Sequence, residues 1–278
     1  MQFINDPGPW TEGLAHDLSM VDLVLNETIP VAPAALLWWA LEHGASLLTA
    51  GGPSGAGKST FTNACLTFLP EGTRAYAVSG RDDPLRVPTD GGTTYLLIAE
   101  LSRHGRPHYL SGPTARRAFA LLRHGIHLVG TLHADSVDEA IAVLGEEVEV
   151  AAEDIARAEL IAITRVVSGL AGGEGRRWGR VPEDDASVKR RIVEIGLLAP
   201  DPERGVRKVE LATWNSGAGR LEIAEPDGVA ALARWAGVPA SAAAAAFAEH
   251  ANTLARLAAE GRREPREVEA AVRRLRPS

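Results

Sequence analysis

The stretch GGPSGAGKST, residues 51–60, combines small residues, one lysine and three hydroxyl groups in a fixed order. Gly52 is followed by four residues and then by Gly57, Lys58 and Ser59. Small residues allow successive backbone N–H groups to turn inward around phosphate oxygens, and a following helix adds its positive end. In this pattern the lysine bridges the outer phosphates, and the serine hydroxyl reaches Mg²⁺. The stretch therefore predicts a phosphate-binding loop.

The loop must follow a buried strand and open a helix if it is to bind phosphate in this way. SLLTA at 46–50 is a compact apolar strand pattern, and STFTNACLTFL at 59–69 is a helix pattern, so this condition is met. Only three of the 29 basic residues are lysines, which sets Lys58 apart from a chance match in a glycine-rich turn. The predicted nucleotide-binding residues are Gly52, Pro53, Ser54, Gly55, Ala56, Gly57, Lys58, Ser59 and Thr60, with Ser59 as the magnesium ligand.

Carboxylates follow two further strand-like stretches. YLLIAE at 95–100 is an apolar strand that ends in Glu100, the form of a Walker B segment. A glutamate in that place can polarise the water that attacks a phosphate, although an acid can also simply mark the exit of a strand into solvent. Asp82 and Asp83 follow the strand pattern RAYAVS at 74–79. They could hold metal-bound water, but Asp-Asp-Pro is also favourable turn chemistry, and both readings stay open.

Two histidines bracket an apolar strand pattern in GIHLVGTLHADS, residues 125–136. On one extended strand, His127 and His133 stand about 20 Å apart, so they cannot share a metal or act as a direct pair. His133 comes where the strand ends, which is where α/β sheets place ligands. His127 lies at the opposite end, and a structural role is favoured for it.

Strand and helix patterns alternate through the first 160 residues, which predicts an α/β domain with a largely parallel sheet. After residue 160 the pieces LIAITRVVSGL, RRIVEIGLLAP, RKVELATW and GRLEIAE alternate with Gly/Asp-rich turns and predict a small antiparallel β extension. From residue 227 onward the chain is rich in alanine and predicts amphipathic C-terminal helices.

Composition excludes several classes of protein. The chain has 278 residues, a hydrophobic fraction of 45% and a net charge of −7, which gives no indication of nucleic-acid binding. The single cysteine, Cys65, excludes a disulfide within the chain and a multi-thiolate zinc site. No signal-peptide pattern opens the sequence and no run of about 18 apolar residues occurs, so we expect a cytoplasmic protein without direct membrane insertion.

The motifs GGPSGAGKST, DDP, LLIAEL and HLVGTLHADS occur in the order found in one superfamily of motors. The chain thus resembles the secretion ATPases, the hexameric motors of type II secretion, type IV and Tad pili, type IV secretion and the archaellum. HLVGTLHADS is the most specific part of this resemblance, because few other phosphate-loop proteins carry it. The resemblance implies a RecA-like P-loop NTPase core, with ATP and Mg²⁺ as its ligands.

The resemblance also assigns roles to individual residues. It implies that Glu100 is the catalytic glutamate, that Lys58 acts on the phosphates, and that His133 contacts or senses the nucleotide site. Asp82 and Asp83 would form the aspartate box of the family.

The same resemblance implies an organisation and partners. Residues 1–40 would be a reduced N-terminal segment and linker helix, residues 41–225 the ATPase core with its β extension, and residues 226–278 a C-terminal helical region. The chain would be a short, divergent member that lacks most of the N-terminal domain. It would form a homo-hexamer at the inner face of the membrane and drive an inner-membrane platform protein of a secretion or pilus apparatus.

Three alternatives remain at this point. YLSGPTARRAFAL at 109–121 superficially resembles the signature of ABC-type ATPases, but there the signature precedes the Walker B strand and here it follows it. A P-loop kinase would also use the phosphate loop and would transfer the phosphoryl group to another substrate. A non-enzymatic regulator would bind ATP and assemble without productive turnover.

Overall fold

The computed structural model describes residues 1–7, 18–52, 54–88, 90–103, 108–168, 188–224 and 227–275. Within these ranges, nine strands form one sheet in the order β1-β3-β4-β5-β2-β6-β7-β8-β9. The strands are β1 (Gln2–Phe3), β2 (Leu47–Ala50), β3 (Arg74–Ala77), β4 (Thr94–Leu101), β5 (Ile126–Leu132), β6 (Leu160–Ser168), β7 (Val188–Asp201), β8 (Gly205–Asn215) and β9 (Arg220–Ile223).

The first six strands pair in parallel, and the last three add an antiparallel extension at one side of the sheet. The predicted α/β fold class with a mostly parallel sheet is confirmed. One expectation is wrong: LIAITRVVSGL was expected in the antiparallel extension, but β6 pairs in parallel with β2 and is antiparallel only to β7. Its first four residues, 160–163, are all buried, as in a strand of a parallel sheet that is covered on both faces.

The α-helices pack against the sheet; within the described ranges, six lie between strands in the sequence and three follow the last strand. They are α1 (Met20–Leu25), α2 (Val31–Glu42), α3 (Lys58–Leu66), α4 (Gly112–Ala120), α5 (Val137–Ala142), α6 (Ala152–Ile155), α7 (Asp227–Ala236), α8 (Ala240–Ala259) and α9 (Pro265–Leu275). A 3₁₀ turn at Leu121–His124 extends α4, and a π-helical turn at Val143–Glu147 extends α5.

Two hydrophobic clusters lie on opposite faces of the sheet. Leu97 and Val129 face the cluster that includes α2, α3 and the C-terminal helices, whereas Leu96 and Leu128 face the cluster that includes α4 and α5. This alternation follows from the pleat of a strand, which points successive side chains to opposite faces. Because both faces of the sheet are covered by helices, polar side chains that bind a ligand are expected at the carboxyl ends of the parallel strands.

The terminal segments pack against the predicted core. β1 pairs with β3 at the edge of the sheet, and the cluster that contains α2 extends from Met20 to Val272. The division at residues 40 and 225 stays a prediction.

None of the helices in the described ranges is by itself both long and apolar enough to cross a membrane. Gly228–Ala236 and Ala240–Ala259 reach that length and composition only when taken together, and the two are bent by 113°.

Candidate functional site

Three chain segments meet at the carboxyl edge of the parallel sheet. β5 lies between β2 and β4, and all three run in the same direction. The loop after β2, Glu100 near the end of β4 and His133 directly after β5 are therefore brought to one edge, as expected for ligand sites in open α/β sheets. They line a cleft of about 940 Å³, together with Lys58 and Ser59.

The predicted phosphate loop connects β2 to α3. Gly57 is the residue before α3 and has φ +88°, a conformation that glycine adopts without steric cost. An added Cβ atom at Gly52 would overlap the carboxylate of Asp135, so that carboxylate would have to move to admit a side chain. Ser54 and Ser59 are exposed, and Pro53 lies outside the described residues.

Lys58 is nearly buried at the base of the cleft, with 8% of its surface exposed. Its Nζ donates a hydrogen bond to the carbonyl oxygen of Gly51 at 3.3 Å. Burial lowers the pKa of Lys58, and the nearby carboxylate of Glu100 partly offsets this by favouring the charged form. An anion in the cleft would favour the charged form in the same way, which makes Lys58 a suitable phosphate ligand.

Glu100 is 7% exposed, yet it has an incomplete set of hydrogen bonds. The hydroxyl of Thr131 lies 2.7 Å from Oε2 and 2.6 Å from the carbonyl oxygen of Ala99; its single proton serves one acceptor at a time. Oε1 is buried and has no hydrogen-bond partner among the described residues. Because a buried polar atom without a partner is costly, this oxygen is suited to accept a hydrogen bond from a bound molecule.

His133 connects the loop to Glu100. Its Nδ1 lies 2.7 Å from the carbonyl oxygen of Gly52, and its Nε2 lies 3.7 Å from Oε1 of Glu100. The carbonyl can only accept, so Nδ1 carries the proton, and Lys58 at 3.3 Å from Nδ1 cannot donate to it in this arrangement. In the neutral ring Nε2 is then an acceptor, which leaves two acceptors, Nε2 and Oε1, facing each other.

Asp83 occupies a turn instead of the cleft. Its carboxylate accepts hydrogen bonds from the Tyr76 hydroxyl at 2.8 Å, the Ser79 backbone at 2.7 Å and the Leu85 backbone at 2.7 Å. Asp82 is exposed, and neither aspartate lines the cleft. Of the two roles left open by the sequence, these contacts support the turn, because the oxygens of Asp83 are already committed to the local backbone. The aspartate-box role for Asp82 and Asp83 stays a prediction.

We expect Asp83→Ala to lower the free energy of unfolding by about 1–3 kcal/mol, because it leaves the buried Tyr76 hydroxyl and two backbone amides without their acceptor. Burial alone would raise the pKa of Asp83, but the hydrogen bonds from Ser79, Leu85 and Tyr76 outweigh it and lower the pKa below 3.8. The stabilisation is therefore complete above pH 3.8 and is lost as the pH falls through the lower folded-state pKa. Urea unfolding at pH 7 and at pH 3 measures both effects, with Asp82→Ala as the control. Equal stability of the two variants at pH 7 would refute the turn role.

His127 is separated from the cleft, as the strand geometry predicted. It lies near the start of β5, and its ring stacks on Tyr95 with the centroids 4.9 Å apart. Burial lowers the pKa of His127 and so favours the neutral ring. These contacts fit a structural side chain.

The arginines of α4 have local partners. Arg116 forms an ion pair with Glu149 on the surface, and Arg117 donates to the carbonyl oxygen of Asp83 at 2.7 Å. Both arginines are exposed, and these contacts fit side chains on the solvated surface.

Sequence reasoning missed the basic residues that β7 contributes to the cleft. Lys189, Arg190 and Arg191 all line it, and Nε of Arg190 donates to the carbonyl oxygen of Gly55 at 2.8 Å. Among the described residues that line the cleft, they and Lys58 are four basic side chains, and Glu100 is the one carboxylate. The available signal was the run KRR, which contains one of only three lysines in the chain.

Among the described residues, no group of three or more His, Cys, Asp or Glu side chains could hold a metal ion. A magnesium ion that is bound through one hydroxyl, substrate phosphates and water needs no such group. The Ser59 hydroxyl, which lines the cleft, fits that kind of hard, oxygen-ligated cation.

No protein-family model matches the chain, and no curated protein matches it. Among solved structures, the chain is similar to the VirB11 ATPase from the Brucella suis type IV secretion system, determined in complex with sulphate. The TM-score is 0.37 at 15% identity, over 61% of this chain and 58% of the other. The chain thus spans less than two thirds of that protein, and a likeness of this size leaves the family unassigned.

Proposed function

We propose that the chain is a magnesium-dependent ATPase of the secretion-motor type, built on a RecA-like core. The observation that carries this proposal is the convergence of Lys58, Glu100 and His133 at one cleft, next to a phosphate loop that opens α3. In particular, the buried Oε1 of Glu100 has no partner among the described residues and lies beside His133.

The loop and Lys58 account for phosphate binding. Backbone N–H groups of residues 54–60 and the positive end of α3 provide donors for the β- and γ-phosphates. Lys58 adds a charge in a largely desolvated position, where its interaction with an anion is stronger than in water. The Ser59 hydroxyl would hold Mg²⁺, which when bound neutralises charge on the phosphates during transfer.

Glu100 and His133 account for the attack by water. A water molecule between Oε1 and Nε2 would have an acceptor for each of its protons, which orients a lone pair toward the cleft. Glu100 then accepts a proton as the water attacks the γ-phosphate, and Thr131 holds the other carboxylate oxygen in place. Little covalent chemistry is needed beyond this, because phosphoryl transfer depends mainly on positioning and charge.

The secretion-motor part of the proposal is supported by the motif order in the sequence, above all by HLVGTLHADS. It includes assembly into a homo-hexamer, a cytoplasmic location at the inner face of the membrane, and action on an inner-membrane platform protein of a secretion or pilus apparatus. Among the alternatives, the regulator without turnover is disfavoured because Lys58, Ser59 and Glu100 are all present in the cleft.

Release of inorganic phosphate from MgATP by the wild-type chain tests the catalytic part of this proposal. We expect ADP and phosphate in equal amounts, with a loss of the activity when EDTA removes magnesium. ADP formed without free phosphate, together with a phosphorylated acceptor, would indicate the kinase alternative. Nucleotide binding without turnover would indicate the regulator.

The assembly part has its own test, light scattering on the eluting particle with and without MgATP. We expect a species of six times the monomer mass in the presence of MgATP, since a motor of this type acts as a ring. A strict monomer in both conditions would contradict the motor role while leaving an ATPase activity intact.

A further inference from the structure

Arg190 reaches the phosphate loop from β7, a strand of the antiparallel extension. Its Nε donates to the carbonyl oxygen of Gly55 at 2.8 Å. Its aliphatic part packs against Gly57, where an added Cβ would lie 3.0 Å from Cδ of the arginine. The side chain is half-buried and forms part of the wall of the cleft.

The hydrogen bond to Gly55 constrains the direction of the next amide. In a trans peptide the C=O of one residue and the N–H of the next point in opposite directions. Because the carbonyl of Gly55 points to Arg190, the N–H of Ala56 points away from it. That N–H is one of the loop amides that would face phosphate oxygens, and Gly55, with φ +83°, would not be held in this orientation by steric restriction alone.

The strand that carries Arg190 is anchored beside the loop. Arg191 donates to the carbonyl oxygen of Asn26 at 2.9 Å and pairs with Glu27 at 2.7 Å. The backbone N–H of Ile192 donates to the carbonyl oxygen of Thr28 at 2.8 Å. These bonds fix the position of β7 near the cleft, so the Arg190 side chain starts from a rigid element.

We propose that Arg190 is a positioning residue for the phosphate loop, which holds the Gly55 peptide so that its neighbouring amide faces the phosphates. This inference rests on the proposed nucleotide-binding function. It assigns to the antiparallel extension a part in shaping the phosphate loop of the same chain.

Isothermal titration with MgATP and with inorganic tripolyphosphate tests this role in the wild type, Arg190→Ala and Arg190→Lys. We expect Arg190→Ala to weaken the binding of both ligands by roughly tenfold, because one charge-assisted hydrogen bond to the loop is lost. Arg190→Lys keeps the stem over Gly57 and the charge, but it has carbon at the position of Nε, so it too should bind both ligands more weakly. Arg207→Ala is the control, because Arg207 is exposed on β8 and does not line the cleft.

The melting temperature without ligand, measured for each variant, separates loop positioning from general stability. We expect it to stay within about two degrees of the wild type for Arg190→Lys. Wild-type-like binding of both ligands by both variants would overturn this inference and leave the proposed function standing. Weaker binding of MgATP with unchanged binding of tripolyphosphate would also overturn it, because that result would place Arg190 at the nucleoside. If the wild type binds neither ligand, the proposed function itself fails.

Discussion

Glu100→Gln is expected to reduce the rate of ATP turnover by about 10²–10⁴-fold while MgATP still binds. The amide keeps the shape of the side chain and its contact with Thr131, but it cannot take a proton from water. Its Oε1 position faces His133 and the cleft, so the substitution alters the atoms that would orient the attacking water. Steady-state phosphate release, with nucleotide binding measured on the same preparations, checks both parts of the expectation.

Glu71→Gln is the matched control for this variant. Glu71 is exposed in the turn after α3 and does not line the cleft, so its substitution removes the same charge without touching the site. We expect wild-type turnover for the control. Turnover by Glu100→Gln at the wild-type rate would show that another group activates the water.

Lys58→Ala is expected to weaken MgATP binding by roughly a hundredfold, since charge-assisted hydrogen bonds to two phosphates would be lost. The effect should be large because Lys58 is nearly buried, and its charge is therefore less screened than a surface lysine. Isothermal titration measures the affinity, and circular dichroism establishes that the variant is folded.

Lys208→Ala provides the comparison for this loss. Lys208 pairs with Asp138 and Glu194 at 2.8 Å and does not line the cleft, so its removal leaves nucleotide affinity unchanged if the site is where we place it. An equal loss in both lysine variants, or in neither, would contradict the role given to Lys58.

Much of the site could be predicted because its residues are defined by local patterns. The phosphate loop was recognised from the strand before it and the helix after it, and the structure places α3 directly after Gly57. Glu100 and His133 were placed by a general rule, that the carboxyl ends of parallel strands share one edge. The end of the buried strand before Glu100 or His133 can be recognised from a few neighbouring residues, so both positions could be predicted locally.

Other parts of the site depend on contacts between distant segments. Arg190 meets Gly55 across 135 residues of sequence, and no periodicity near either residue indicates this. The direction of β6 was missed for the same reason, because an apolar strand pattern does not specify the direction of its partner. For Asp83, the sequence left two roles open, and only the positions of Tyr76, Ser79 and Leu85 distinguish them.

A single-turnover experiment with ATP labelled at the γ-phosphate and wild-type chain in excess tests the central claim most directly. The account predicts that the label appears as inorganic phosphate in the wild type and stays in bound ATP in Glu100→Gln. Label that remains in ATP in both, or that appears on another molecule, would contradict an ATPase with Glu100 at its centre.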